Sequence, residues 1–486
     1  MGDVILLRDD ETPEQAAAER EAGELPDDVD PCTDLANAYR LAAMHGGDLL
    51  FNRSLGWLCW DGRRYLLDET GEAQRRAQDV ARAVKRQGLS LFARGHKTDN
   101  ERVVKQGEQL IGWSKHSQQE RALRAALRVA ESAERFVVRT TELDQQQLLL
   151  NVANGTIDLE SGELLEHDRE RKITKLAPAE YRSGWGCPRL LAFLGRILDG
   201  NEELIGFVQR AFGYSLTGRT DEQCFFLLWG TGANGKSTLL EVLRHVAGDY
   251  ALNISADTLM TQRGGRGPEN DVARLRGARL VTASESGETR RLDEERVKRL
   301  TGGDVYTARF LHREFFEFHP RFKLWLAANS KPEIRGTDHA IWRRVRLIPF
   351  TVTIPPEEQD PDLLDKLKEE SAGILYWAVQ GCLEWRRDGL RAPAEVTAAV
   401  AEYRSEQDAL GRFVEEECII LEQAQQSTGS LYGRYAEWCR EQGEQPMSAK
   451  ALHGKLKDLG FQQGRTKHGR FWQGIGLRSR GEEGDR

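Results

Sequence analysis

The stretch FFLLWGTGANGKSTLLEVLRH, Phe225 to His245, constrains the fold of this chain more than any other. An apolar run of strand type passes through a glycine-rich turn into an amphipathic helical pattern. Gly230-Thr231-Gly232-Ala233-Asn234-Gly235-Lys236-Ser237 satisfies GxxxxGK(S/T) at every fixed position, and Thr238 carries the segment into the helix. The glycines let backbone N–H groups turn inward around phosphate oxygens, at the positive end of the helix that follows. Lys236 is expected to reach the β- and γ-phosphates and the Ser237 hydroxyl to ligate Mg²⁺. The predicted ligand is a nucleoside triphosphate, ATP with Mg²⁺.

The sequence around this loop predicts the rest of a phosphate-handling site. CFFLLW, ARLVTAS, FKLWLAAN and RVRLIPF are near-continuous apolar runs, the pattern of strands buried on both faces. Helical or loop material separates them, which predicts a mainly parallel sheet flanked by helices. Glu285 directly follows one of these runs, where an acid could hold Mg²⁺ or polarise water, and Glu288 could share that task. Asn329 ends the next run, beside the expected γ-phosphate. An exposed acid at a strand end and an Asn opening a turn before Lys-Pro are the bland readings of the same residues.

Length and composition bound the remainder. The 486 residues exceed one compact domain and predict two to four units. No apolar run approaches the roughly 18 residues of a membrane span, and MGDVILLRDDETPEQ lacks the basic-then-apolar order of a signal peptide. With a mean hydropathy of −0.58, a cytoplasmic protein is expected. The seven cysteines are scattered without a CxxC pair, which argues against a zinc site or a disulfide framework. A net charge of −8 excludes a protein that coats nucleic acid everywhere but leaves room for a local basic channel.

Along the chain, residues 1–30 read as an acidic disordered tail and 31–205 as a mixed α+β domain. DLLFNRSLGWLCWDGRRYLLD carries strand runs and turn signals, and Leu123, Leu127 and Ala130 mark a helical stripe. Asn154-Gly155 and Ser161-Gly162 are hairpin signals. Trp57, Trp60 and Trp113 suit either a core or base stacking. The loop belongs to a core at 206–352, followed by a helical extension at 353–420. Residues 425–480 read as a small winged-helix-like domain: a helix with Leu452, Leu456 and Leu459 on its apolar face, then a basic turn and an aromatic strand. Arg465, Lys467 and Arg470 would touch DNA phosphates from the wing. Residues 481–486 form a tail.

The ordered pieces GTGANGKSTLLEVL, RLVTASE, VKRLTGGDVYTARFLHREFFEFHPRFKLWLAANSKP and RGTDHAIWRRVRLIPF resemble the superfamily 3 helicases. The likeness is to the phage/plasmid primase–helicase branch that includes the poxvirus-type nucleoside triphosphatase. It runs well from about 145 to 420 and is weakest at the C-terminus. The resemblance implies an α/β, AAA+-like P-loop ATPase core that assembles as a ring, usually a homo-hexamer, with ATP sites between subunits. A neighbour's arginine then completes each site, and IWRRVR offers Arg343 and Arg344. It also implies a channel hairpin that grips DNA. Here His312 and Arg313 would sit near its tip, where the family commonly has lysine. A second departure is the strand acid, which is Ser284-Glu285 where other branches show two adjacent acids.

The expected function is an ATP-dependent ring helicase acting on single-stranded and forked DNA in phage, plasmid or mobile-element replication, in a bacterial host cytoplasm. The alternative is an origin-binding initiator that uses ATP without processive unwinding. Primase activity is not expected, because no strand-borne Asp-x-Asp pair precedes the loop. A separate primase or loading protein is the implied partner.

Overall fold

The computed structural model describes residues 25–261, 270–285, 291–309, 315–334, 339–442, 446–467 and 469–478. At the N-terminal end, Thr33 caps α1 (Asp34–His45) by accepting from the Ala36 N–H. An antiparallel meander follows: β1 (Leu49–Asn52), β2 (Gly56–Trp60) and β3 (Tyr65–Leu67). Three helices, α2 (Glu72–Lys97), α3 (Glu101–Ser117) and α4 (Glu120–Ala130), pack beside it. Leu41, Leu49, Val80, Leu110, Ala130 and Phe136 share their core. The tryptophans are packed here. Trp57 lies against Phe51 and Phe136, Trp60 against Tyr65, and the Trp113 indole donates to Asn37.

β4 (Leu149–Val152), β5 (Gly155–Asp158) and β6 (Leu164–Leu165) form a second antiparallel sheet, with Val152 opposite Gly155 across a tight turn. They share a core with α5 (Pro188–Ile197), α6 (Glu202–Ser215) and the phosphate-loop strand, through Leu150, Ile157, Leu194, Phe207 and Phe226. Among the described residues, 31–205 therefore feed three hydrophobic clusters, and the last of them also packs against the phosphate-loop strand.

The central sheet comprises β7 (Phe225–Trp229), β8 (Ala251–Ser255), β9 (Leu280–Ser284), β12 (Lys323–Ala328) and β13 (Val345–Pro349), in the order β13-β7-β12-β9-β8. Every pairing in it is parallel. β10 (Tyr306–Arg309) and β11 (Phe315–Phe318) form a separate antiparallel hairpin before β12. Side chains alternate across the sheet. Phe226, Leu228 and Trp325 face the core shared with α7 (Lys236–Ala247), while Phe225, Leu227, Leu324 and Leu326 face the other. The four expected strands are present. β8 escapes the apolar-run signal because it lies at the sheet edge and buries little besides Ile254.

α8 (Ser371–Asp388) crosses α6 where Gly213 faces Gly381 and Cys382; a Cβ on Gly213 would sit 2.1 Å from the Cys382 nitrogen. α9 (Ala394–Gln407) then runs along β13. The C-terminal unit consists of α10 (Ala409–Glu417), β14 (Cys418–Ser427), α11 (Thr428–Glu441), α12 (Ala449–Asp458), β15 (Gln462–Thr466) and β16 (Gly469–Leu477). Its sheet order is β14-β16-β15. Leu410 and Phe413 lie in its core with Trp438, Leu456 and Trp472, so the unit draws in residues well before position 425. Leu452 and Leu456 are buried as expected, whereas Leu459 ends the helix and is 55% exposed. All seven cysteines are free thiols.

Candidate nucleotide-binding site

The loop leaves β7 at the carboxyl end of the sheet, where β7 lies between β12 and β13. In open parallel sheets ligands bind outside the carboxyl ends of the strands. The Gly230 N–H donates to the Ala328 carbonyl, and a Cβ on Gly230 would strike the Phe350 carbonyl at 2.2 Å. Gly235 has φ 81°, a left-handed conformation that favours glycine. No side chain caps the start of α7, so its first N–H groups point toward the loop without a side-chain acceptor. Ser237 is exposed at that helix start.

Lys236 is only 4% exposed. Its ammonium donates to the Gly230 carbonyl at 2.6 Å, Asn234 Oδ1 at 3.0 Å and Asn329 Oδ1 at 3.3 Å. All three are neutral oxygens, and burial holds the Lys236 pKa below the ordinary lysine value. A cation held by neutral dipoles at an uncapped helix start fits an anionic phosphate.

Strand register brings the other candidates alongside. Trp229 pairs with Ala328 and Ala327 with Ser284, so Gly230, Asn329 and Glu285 emerge in adjacent positions at one sheet edge. The Glu285 N–H donates to the Ala327 carbonyl at 2.9 Å, fixing the residue at the β9 terminus. Its carboxylate lies near enough to Tyr403 to help raise that phenol's pKa, after burial and Glu406. The residues predicted for the loop, the strand acid and the polar sensor thus meet. Glu288 falls outside the described residues.

The two arginines of IWRRVR are in different settings. Arg344 is 7% exposed and tied inward, Nε to Thr301 Oγ1 at 3.2 Å and Nη1 to the Ala340 carbonyl at 2.7 Å. Arg343 is exposed and donates to Gln223 Oε1 at 3.0 Å. Gln223 precedes β7, so Arg343 stands at the opposite end of the strand from the loop. Residues 310–314, including His312 and Arg313, lie outside the described residues, although the flanking β10 and β11 pair as a hairpin expected around them. Arg465 and Arg470 are direct cross-strand partners, and both are exposed with Lys467 at the β15–β16 turn.

Sequence reasoning missed Lys331. Its ammonium pairs with Glu406 at 2.8 Å and lies 4.5 Å from the centre of the Trp229 ring, immediately before the loop. Tyr403 donates to the Pro332 carbonyl, and the Ile334 N–H to Gln407 Oε1. The segment after Asn329 is thereby fastened to α9. The partners come from some 75 residues downstream, so no local spacing announces them.

Comparison with known proteins shows what these parts are similar to. A model described as D5 N terminal like matches residues 38–199, a family of unknown function matches 228–344, and a Poxvirus D5 protein-like model matches 405–473. The chain is similar to "Putative helicase L207/L206" of Acanthamoeba polyphaga mimivirus, 26% identical over 320 residues, covering 61% of this chain and 33% of that protein. "Putative helicase 022R" of Frog virus 3 is 28% identical over 292 residues, 55% of this chain and 29% of that protein. "Putative primase C962R" of African swine fever virus is 25% identical over 329 residues, 61% and 34% respectively. The chain spans about a third of the length of these relatives. Among solved structures, the apo NrS-1 C-terminal region covers 62% of this chain and 77% of its own at 11% identity, with a TM-score of 0.37. D5-type matches thus lie on both sides of the parallel-sheet core: the chain carries a D5 N terminal like region and a Poxvirus D5 protein-like region.

Proposed function

We propose that this chain is an ATP-driven DNA helicase whose AAA+-like subunits form a ring and hydrolyse ATP between neighbours. The observation that carries the reading is the convergence of Lys236, Asn329 and Glu285 at the carboxyl edge of an all-parallel sheet. Bound ATP with Mg²⁺ supplies the phosphoanhydride whose hydrolysis releases the driving energy. Gly230 to Thr238 would wrap its phosphates, Lys236 would neutralise charge on the terminal ones, and Ser237 with Glu285 would hold the metal ion. Asn329 positions the attacking water or reports on the terminal phosphate through its contact with Lys236. The named relatives, called helicases and a primase, support a role in DNA replication.

Geometry favours Arg343 as the cation donated across a subunit boundary. β7 has five residues, and at roughly 3.3 Å per residue it separates Arg343 from its own loop by about 16 Å. That arginine cannot serve its own site, but it is exposed and can serve a neighbour's. Arg344 is held inside its own subunit by Thr301 and Ala340. We assign single-strand contacts to the His312–Arg313 hairpin and phosphate contacts to Arg465, Lys467 and Arg470, and we assign priming to a separate protein.

The test is strand displacement from a forked duplex. The chain should release the strand only with ATP and Mg²⁺, and Lys236→Ala should not. ATP hydrolysis stimulated by the fork without displacement would instead identify an origin-binding initiator.

A further inference from the structure

We infer that the α2–α3 hairpin is a phosphate-binding arm for double-helical DNA. The chain is acidic as a whole, at −8, yet residues 72–117 hold ten lysines and arginines against five acids. The basic charge that the whole-chain balance hides is concentrated in one structural element.

The hairpin is built as a stiff projection. The two helices approach until backbone meets backbone: a Cβ on Gly107 would lie 2.5 Å from the Phe92 nitrogen, and one on Gly95 2.6 Å from the Val104 nitrogen. Its lower part is anchored through Ala73, Val80, Val84 and Leu110. At its end, residues 96–102 are all exposed. The Asn100 side chain caps α3 there by accepting from the Val103 N–H, so the tip is an ordered turn between two helices.

The charges on it are available. Lys85, Lys97, Arg102 and Lys105 are exposed and make no ion pair among the described residues. Lys85 and Lys97 are about 18 Å apart along α2 at 1.5 Å per residue, while Arg102 and Lys105 add charge beside Lys97 across the turn. Arg75 and Arg82 pair with Glu72 and Asp79 on the surface, where such pairs are weak enough to be exchanged for phosphate.

The same element points to a duplex over a single strand. Single-strand grooves combine charge with aromatic platforms on which bases stack. The hairpin's Phe92 is half-buried and in edge contact with His96, and its Trp113 is half-buried and bonded to Asn37. A rigid rod of cations whose aromatic rings are engaged by its own histidines and by Asn37 suits the dense, regular phosphate array of a double helix. In the proposed helicase, the arm would grip the duplex near the ring.

The experiment uses the full chain with Lys85→Gln, Lys97→Gln, Arg102→Gln and Lys105→Gln combined, and a milder Lys97→Gln/Arg102→Gln pair at the tip. Fluorescence anisotropy across a salt series measures binding to a blunt duplex and to a single strand of equal length. Each lost phosphate contact should lower the slope of log K against log salt by about 0.9, so the fourfold variant should lose up to about 3 to 4 in slope on duplex, and the pair about half of that. Duplex affinity should fall at least about tenfold at low salt, with single-strand binding and DNA-free ATPase retained. Unchanged duplex binding would reduce the arm to a solvated basic face. Equal losses on both DNAs would overturn the duplex assignment. Because DNA-free ATPase is read separately, failure here leaves the nucleotide site standing, and failure of Lys236 to matter would leave the arm standing.

Discussion

At the residue scale, Lys236 combines burial with neutral partners, so its proposed role in hydrolysis and its effect on stability can be read separately. Lys236→Met should abolish ATP hydrolysis, while Glu285→Gln should still bind nucleotide and lose turnover, because its carboxylate acts after binding. Equilibrium binding of a fluorescent ATP analogue beside steady-state ATPase distinguishes the two. Burial lowers the folded pKa of Lys236 below its usual 10.5. A group shifted in that direction contributes stability above the unfolded pKa and loses it as pH falls through the lowered folded value. At neutral pH, therefore, the charged lysine weakens the nucleotide-free fold. Lys236→Met should melt higher than the parent at pH 7, and the gap should close as pH rises toward 10.5. A lower melting temperature at pH 7 would show that the three hydrogen bonds of the ammonium outweigh its desolvation.

At the element scale, the α6–α8 crossing holds the wall behind the phosphate loop. A Cβ on Gly213 would meet the Cys382 nitrogen at 2.1 Å and the Ala378 carbonyl at 2.5 Å, backbone atoms that cannot turn aside. Gly213→Ala should destabilise the protein by roughly 1–3 kcal/mol, the usual cost of overpacking, measured as a shift in the urea midpoint. An unshifted midpoint would mean the helices separate freely. The sequence made the buried elements legible, because strands covered on both faces leave unbroken apolar runs: β7, β9, β12 and β13 were all visible. Edge strand β8 was not, since half of it faces solvent. The placement of Glu285 and Asn329 at the carboxyl edge is legible for a related reason, as both terminate those same runs. What stayed hidden depends on distant pairing. Lys331 finds Glu406 from another helix, Leu410 joins a core centred far downstream, and Arg343 differs from Arg344 only through which side of a short turn each side chain takes.

At the scale of the whole molecule, the proposed function divides labour among a basic N-terminal arm, the parallel sheet with its phosphate loop and a C-terminal unit joined to α9. Nucleotidyl transfer needs paired acids holding two metals roughly 3.5–4 Å apart, and in the proposed division no segment of this chain has that task. Incubation with single-stranded template, Mg²⁺ or Mn²⁺ and labelled nucleotides should therefore yield no template-dependent ladder of short products; such a ladder from polymerase-free protein would overturn the division. In the proposed ring each hydrolytic site is shared, with the loop of one subunit completed by Arg343 of the next. The most direct measurement mixes Lys236→Ala with Arg343→Ala subunits, each inactive alone, after confirming by sedimentation that mixed rings form. ATPase should return on mixing, where an intact loop meets an intact arginine, and Arg344→Ala mixed in the same way should give no such recovery. Mixed rings that stay inactive with Arg343→Ala would contradict the shared site.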